Sequence, residues 1–434
     1  MNRRTISLLL CLALLVSALS LSGCGMKPAS SGSGDTVPKE SPAPAQPLSD
    51  AGEAGPVPSV APAPPAEGDA AEAVSGFAAA LLKSAGEENA LISPLSILCA
   101  LGMTFNGAEG ETLGQFERTL GVSRETLNEY LGSWLASLQG EDETLHLADG
   151  IWIRDDPDLI VEPDFLELNQ RLYGAAAERT AFDEAALRRI NGFVKEHTRG
   201  MIEKVLDGIP KDAVMYLVNA LAFDAKWEEP YKSTQIREGE FTSEDGSKQT
   251  GDFLFSREGT YLQDDSCTGF LKYYEGGRFA FAALLPRDGT SLSDFIAGLD
   301  GKKLRRLLET AERTKVDTKT PKLELDYSAE LQGVLAGMGI ADAFDGGLAD
   351  FSSMGHFADG ANLFISRVIH KTYLKLDEEG TKAGAVTVVE MQKATAVMEP
   401  KPIPQVYLDR PFVYMILDCE TQLPVFIGRA DRLP

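Results

Sequence analysis

The 434-residue chain predicts an α+β fold built on large sheets, and three features point there. Helical and strand periodicities alternate along most of the sequence, without the βαβ rhythm of a doubly wound sheet. No Gly-rich phosphate loop stands between a strand and a helix. Hydrophobic residues make up 44% and charged residues 24%, close to globular averages, so the chain has enough apolar material for a core. Lys+Arg of 41 against Asp+Glu of 65 gives −24, a field that repels phosphate and argues against nucleic acid or anionic lipid as a partner.

The N-terminus is organised before any fold begins. Residues 1–23 read as a secretory signal, with Arg3 and Arg4 ahead of an apolar run over 6–21. Leu21-Ser22-Gly23-Cys24 resembles the bacterial lipobox, in which small residues admit a signal peptidase and the cysteine is acylated at sulfur. Cys24 is therefore expected to be the lipidated (palmitate-bearing) N-terminus of an exported lipoprotein, anchored in a membrane or at the cell surface and facing the extracellular side. Residues 24–70 hold ten of the 23 prolines among Ala, Ser and Gly, too little apolar surface to offset chain entropy, and read as a tether. The folded domain is expected over 71–434.

Within that domain Phe77, Leu81 and Leu82 repeat at helical spacing before Gly86, and Ser93-Pro94 opens a second helix with Pro in its first turn. Helices dominate this first third. A strand follows over 145–153, amphipathic helices over 162–172 and 184–197, and a long strand over 214–223. Residues 241–285 alternate short strands with turns such as Glu275-Gly-Gly277, and helices fill 292–313. The last third predicts a helix over 328–338, a long strand over 362–376, a small-residue segment, and strands over 412–418 and 425–429.

Chemistry is sparse. The four histidines, His146, His197, His356 and His370, show no paired ligand spacing, and no G-x-S-x-G elbow offers a nucleophile. Neither a catalytic residue, a metal site nor a cofactor is expected. Once Cys11 leaves with the signal and Cys24 is acylated, Cys99, Cys267 and Cys419 remain, an odd number without CxxC spacing, which reads as buried free thiols.

One constellation is specific. NALISPLSILCALGMTFNGAEGETLGQF from Asn89 is followed by INGFVKEHTRGMI, LVNALAFDAKW, Leu284-Leu285-Pro286, Met338-Gly339-Ile340, Ile369-His370-Lys371, Glu378-Glu379-Gly380-Thr381, Asp409-Arg410-Pro411-Phe412 and Phe426-Ile427-Gly428-Arg429. In that order and spacing the chain closely resembles the serpins, the serine protease inhibitor family. The resemblance implies three β-sheets, eight or nine helices and an exposed reactive loop near the C-terminus. A target protease cleaves such a loop, and the loop then inserts into the large sheet and traps the acyl-enzyme. The protein is thus expected to be an inhibitor and not an enzyme, a monomer whose partner is a serine protease, with a cysteine protease as the alternative. By the same resemblance Glu378, Glu379, Gly380, Thr381, Lys382, Ala383, Gly384 and Ala385 form the hinge, Ser93, Asn219 and His370 the polar cluster where the sheet opens, and Trp227 the aromatic where the loop enters.

An inserting strand sends alternate side chains inward, so Thr381, Ala383, Ala385, Thr387 and Val389 are expected to face the core and Lys382, Gly384, Val386 and Val388 the other side. The family usually carries an acid at 382 and Ala at 386, and the loop is about six residues longer than in familiar animal members. Counting the family's usual distance from Gly380 places the scissile bond between Ala394 and Thr395, suited to an elastase-like or subtilisin-like protease. Lys393-Ala394 is the alternative, suited to a trypsin-like one. Two competing functions keep the same sequence features: a non-inhibitory scaffold of this fold, and a solute-binding lipoprotein.

Overall fold

The computed structural model describes residues 69–86, 88–138, 144–211, 213–381 and 402–434. The signal, Cys24, the tether up to residue 68, and the expected loop positions Lys382, Ala383, Gly384, Ala385, Val386, Thr387, Val388, Val389, Lys393, Ala394 and Thr395 lie outside the described residues, whereas Asp69 and Ala70, expected in the tether, begin the helix Asp69–Ser84. Nine α-helices occur among the described residues, and none of them is long and apolar enough to cross a membrane.

Two helices pack against the strand pair of Leu145–Arg154 and Met215–Phe223. Pro94–Phe105 starts where the Ser93 side chain accepts the Ser96 N–H and Pro94 supplies a preset φ; eleven of its residues are buried, so it runs through the core. Glu184–His197 starts where the Asp183 carboxylate accepts the N–H groups of Ala185 and Ala186. It buries only Ala186, Ile190 and Val194 and lies on a sheet face.

The first large sheet is antiparallel, in the order Ala90–Ile92, Leu423–Ala430, Phe412–Asp418, Phe279–Pro286, Cys267–Tyr273, Thr260–Gln263. Every residue of its three strands Phe279–Pro286, Phe412–Asp418 and Leu423–Ala430 is buried, as near-continuous apolar runs require. A second sheet orders Gln405–Tyr407, Val316–Pro321, Lys248–Glu258 and Ile236–Thr242.

The central sheet comes in two halves. One is Ala176–Thr180, Leu145–Arg154, Met215–Phe223; the other is Leu323–Glu330, Ile369–Leu376, Gly380–Thr381, Ala225–Lys226. Only Asp224 separates Met215–Phe223 from Ala225–Lys226, so one strand feeds both halves and they make a third large sheet. A small ladder of Leu159–Val161 with Gly355–Phe357 stands apart.

Three sequence expectations need correction. Residues 328–330 extend the strand Leu323–Glu330, because Ser328, Ala329 and Glu330 pair with Lys371, His370 and Ile369; the helix is only Gln332–Met338. Long-range pairing overrides the helix propensity of Ala and Glu there. The strand expected over 362–376 is regular only as Ile369–Leu376, since buried Leu363 followed by exposed Phe364 does not pair with a neighbour. The helices expected over 292–313 end at Glu309, capped through Thr310. Cys99 and Cys267 are buried free thiols, whereas Cys419 is only half-buried.

Candidate functional site

The seam between the two halves of the central sheet is where those expected functional residues that are described lie. No ladder among the described residues joins Met215–Phe223 directly to Ile369–Leu376. At the upper end the halves are bridged by two residues: Thr381 pairs with Leu376 on one side and Ala225 on the other, and Gly380 pairs with Lys226. Gly380 has to be glycine, because a Cβ there would stand 2.2 Å from the Ala225 carbonyl oxygen.

This mouth is tightly held. Trp227 is buried, stacks on Tyr274 at 4.3 Å between ring centroids, and donates its indole N–H to the Asp377 carbonyl at 2.9 Å. Backbone N–H groups of Trp227 and Tyr231 donate to the carbonyls of Glu379 and Glu378 at 3.0 and 2.8 Å. The Tyr274 hydroxyl shares a hydrogen bond of 2.9 Å with the Thr381 hydroxyl, and Thr381 is buried. Beneath the rings a buried ammonium, Lys272, lies 4.4 Å from the Tyr231 centroid and 3.2 Å from the Glu258 carboxylate. Glu378 meets Lys322 at 2.8 Å, and that ammonium holds its carboxyl below the usual range.

Lower down, the seam is lined by polar groups and a cavity. Ser93 donates its backbone N–H to Nε2 of His370 at 3.1 Å and its hydroxyl to the Val425 carbonyl at 2.9 Å. An Nε2 that accepts cannot be protonated, so the ring proton sits on Nδ1, and burial pushes the His370 pKa down to about 4. Ser96 donates its hydroxyl to Oδ1 of Asn219, whose amide Nδ2 donates to Oδ1 of Asp149 across the strand pair. Desolvation pushes the Asp149 pKa up to about 7, against the pull of the Asn219 hydrogen bond. The cavity, ≈ 210 Å³, lies between 213–219 and 363–370 over the Pro94–Phe105 helix, with Ser96, Thr104, Asn219 and His370 among its polar lining.

Ser93, Asn219 and His370 thus stand together around the lower seam, and Trp227, Glu378, Glu379, Gly380 and Thr381 around its mouth, some strand residues away. Sequence reasoning did not single out Ser96, Asp149, Tyr274, Lys272 or Lys322 as site residues. Asp149 did leave a signal: it occupies the row of Leu145, Leu147, Ile151 and Ile153, the core-facing side of a period-two strand, where an acid has no ordinary place. No group of three or more His, Cys, Asp or Glu that could hold a metal ion occurs among the described residues.

The family model described as serpin (serine protease inhibitor) matches residues 72–432. The chain belongs to the serpin family. It is 32% identical over 379 residues to human serpin B8, covering 83% of this chain and 98% of that protein. It is 31% identical to the bovine (Bos taurus) leukocyte elastase inhibitor, covering 79% and 92% of the two chains. Among solved structures, the thermophilic serpin tengpin in its native state superposes with a TM-score of 0.77 at 39% identity, covering 84% of this chain and 94% of that one. The serpin fold, with its nine helices among the described residues, is thereby established, and the relatives support a role in protease inhibition.

Proposed function

We propose that this serpin is a suicide-substrate inhibitor of a serine protease, which cleaves its loop and is trapped when the loop enters the seam. The observation that carries the reading is the register at the mouth. Thr381 already pairs on both sides and Gly380 with Lys226, with the strands on either side of the seam running on beneath them. Continued without a bulge after cleavage, that register sets Ala383 against Leu374 and Phe223, Ala385 against Thr372 and Leu221, and Thr387 between His370 and Asn219. Small residues would meet the apolar stretch and a hydroxyl would meet the two polar side chains.

The opposite face of the entering strand refines the sequence expectation. Val386 and Val388 would stand beside Ala220 and Val218, which belong to the second apolar cluster, roofed by Ile190 and Val194 of the Glu184–His197 helix. Their bulk then has an apolar surface to cover. Lys382 would sit between Lys375 and Asp224, one like and one opposite charge. About fifteen inserted residues, at about 1 kcal/mol net per backbone hydrogen bond plus side-chain burial, give a drive on the order of ten kcal/mol.

Ala394-Thr395 is the bond we assign, for an elastase-like or subtilisin-like protease, and the similarity to a named elastase inhibitor favours the former. Incubation with an elastase-like enzyme is expected to give an SDS-resistant complex and a new N-terminus at Thr395. A new N-terminus at Ala394 moves the assignment to a trypsin-like target, and cleavage with no complex sinks the inhibitory reading in favour of the scaffold. The domain is further proposed to be monomeric and held at a membrane through Cys24, so labelled palmitate should enter the wild type and not Cys24→Ala.

A further inference from the structure

The polar chain across the lower seam ends in two buried ionisable groups, and each is held neutral by its surroundings. At one end, His370 is 3% exposed and offers Nε2 as an acceptor to the Ser93 N–H, which an imidazolium cannot do. At the other, Asp149 is 6% exposed, receives a single hydrogen bond, from Asn219 to Oδ1, and its Oδ2 is buried without a partner among the described residues. An ionised carboxylate in such a place, with one amide donor and no cation, would be costly.

The neighbours offer no rescue for either charge. Two ionisable groups that sense Asp149 are Cys99 of the Pro94–Phe105 helix and Tyr173 of the Pro163–Tyr173 helix, neither of them a cation and both pushed up chiefly by burial. Asn219 faces it from Met215–Phe223. For His370, burial alone accounts for the shift. The cations beside it in sequence are engaged elsewhere, Lys371 with Asp326 and Arg367 with Glu330.

We propose that folding transfers one proton from the imidazole at 370 to the carboxyl at 149, leaving both ends of the seam neutral and making the seam's stability level across mildly acidic pH. In the unfolded chain at such a pH the histidine is charged and the aspartate ionised; in the folded chain neither is, and the total number of bound protons is the same. The signs run opposite ways. Lowering the histidine's affinity for protons on folding makes stability rise with pH from about 4 to 6.5. Raising the acid's makes stability fall with pH from about 4 to 7. In the shared window the slopes cancel. The inference concerns the same seam as the inhibitory reading, but it is read from stability without a protease, so the two can fail separately.

The test is equilibrium urea unfolding of the full chain between about pH 4.5 and 6.5, each variant referred to the wild type at the same pH. Relative to wild type, Asp149→Asn should gain stability with rising pH, approaching about tenfold in the folding equilibrium per pH unit. His370→Gln should lose it at a similar rate, and the double variant should run parallel to the wild type. Both single variants running parallel to the wild type overturns the proposal. Should either variant fail to fold, NMR of the wild type decides: ring nitrogen shifts of a neutral imidazole at 370 and one protonated buried aspartic acid at pH 5.5 support it. An imidazolium, or an ionised Asp149, overturns it.

Discussion

The six-stranded sheet and the central sheet are built from the same kinds of residue and behave as opposites. In the first, Phe279–Pro286, Phe412–Asp418 and Leu423–Ala430 are buried throughout and paired on both sides. In the second, Ile369–Leu376 alternates buried with half-buried residues and, among the described residues, has a ladder on one side only, except at its end against Thr381. The contrast separates two tasks. One sheet holds the domain together, and the other leaves two strand edges without a ladder among the described residues, as the insertion proposed above would require.

The sharpest way to break that comparison is to cut the loop. Cleavage between Ala394 and Thr395 should raise the thermal midpoint by about 13 °C, given a gain on the order of ten kcal/mol, as read by calorimetry before and after. An unchanged midpoint would mean that the central sheet accepts nothing. Next in size, Phe281→Ala in the six-stranded sheet should cost about 3–5 kcal/mol, because Phe281 is fully enclosed between Phe270, Tyr414 and Trp227. The loss should be the same in intact and cleaved protein by denaturant unfolding, whereas a loss confined to one form would tie the two sheets together.

Smaller effects belong to the mouth. Tyr274→Phe leaves the Thr381 hydroxyl without its ring partner and should cost about 1 kcal/mol, with faster amide exchange at Gly380 and Thr381 as the local readout. Smallest is Glu378→Gln. Its partner Lys322 is partly exposed, so the loss at neutral pH should be no more than about 1 kcal/mol. The Glu378 carboxyl is depressed on folding, so its contribution is present at neutral pH and disappears as pH falls through its folded value. The variant should therefore equal the wild type in strong acid, and a difference that persists there would assign the effect to packing.

The sequence was most legible where order along the chain carried the information. Ser93, Asn219, His370, Trp227 and the 378–381 hinge were named from motifs, and the structure sets them along one seam. Helix Glu184–His197 was legible to the residue because Asp183 caps it and Ile190 and Val194 mark its buried face. Pairings between distant segments were not legible. Residues 328–330 have helix-forming composition, and only the partner strand 369–371 makes them extended. The 362–368 stretch has the apolar content of a strand, yet it borders the cavity and forms no ladder among the described residues, only single backbone bonds such as Ile365 N–H to the Ala343 carbonyl. Asp149 shows the same limit from the other side, since its position in a core-facing row was readable but its amide partner 70 residues away was not.

The two-residue bridge at the mouth has a kinetic consequence. Starting a new strand inside a sheet is ordinarily the slow event, because the chain must be brought into register before any bond rewards it. Here Gly380 and Thr381 already lie in register with Lys226, Ala225 and Leu376. If the proposed insertion occurs, growth from that point is propagation, each added residue gaining ladder bonds on two flanks without a separate nucleus. Under the proposed mechanism, what limits the rate is then the release of the far end of the segment, the one event a protease would control.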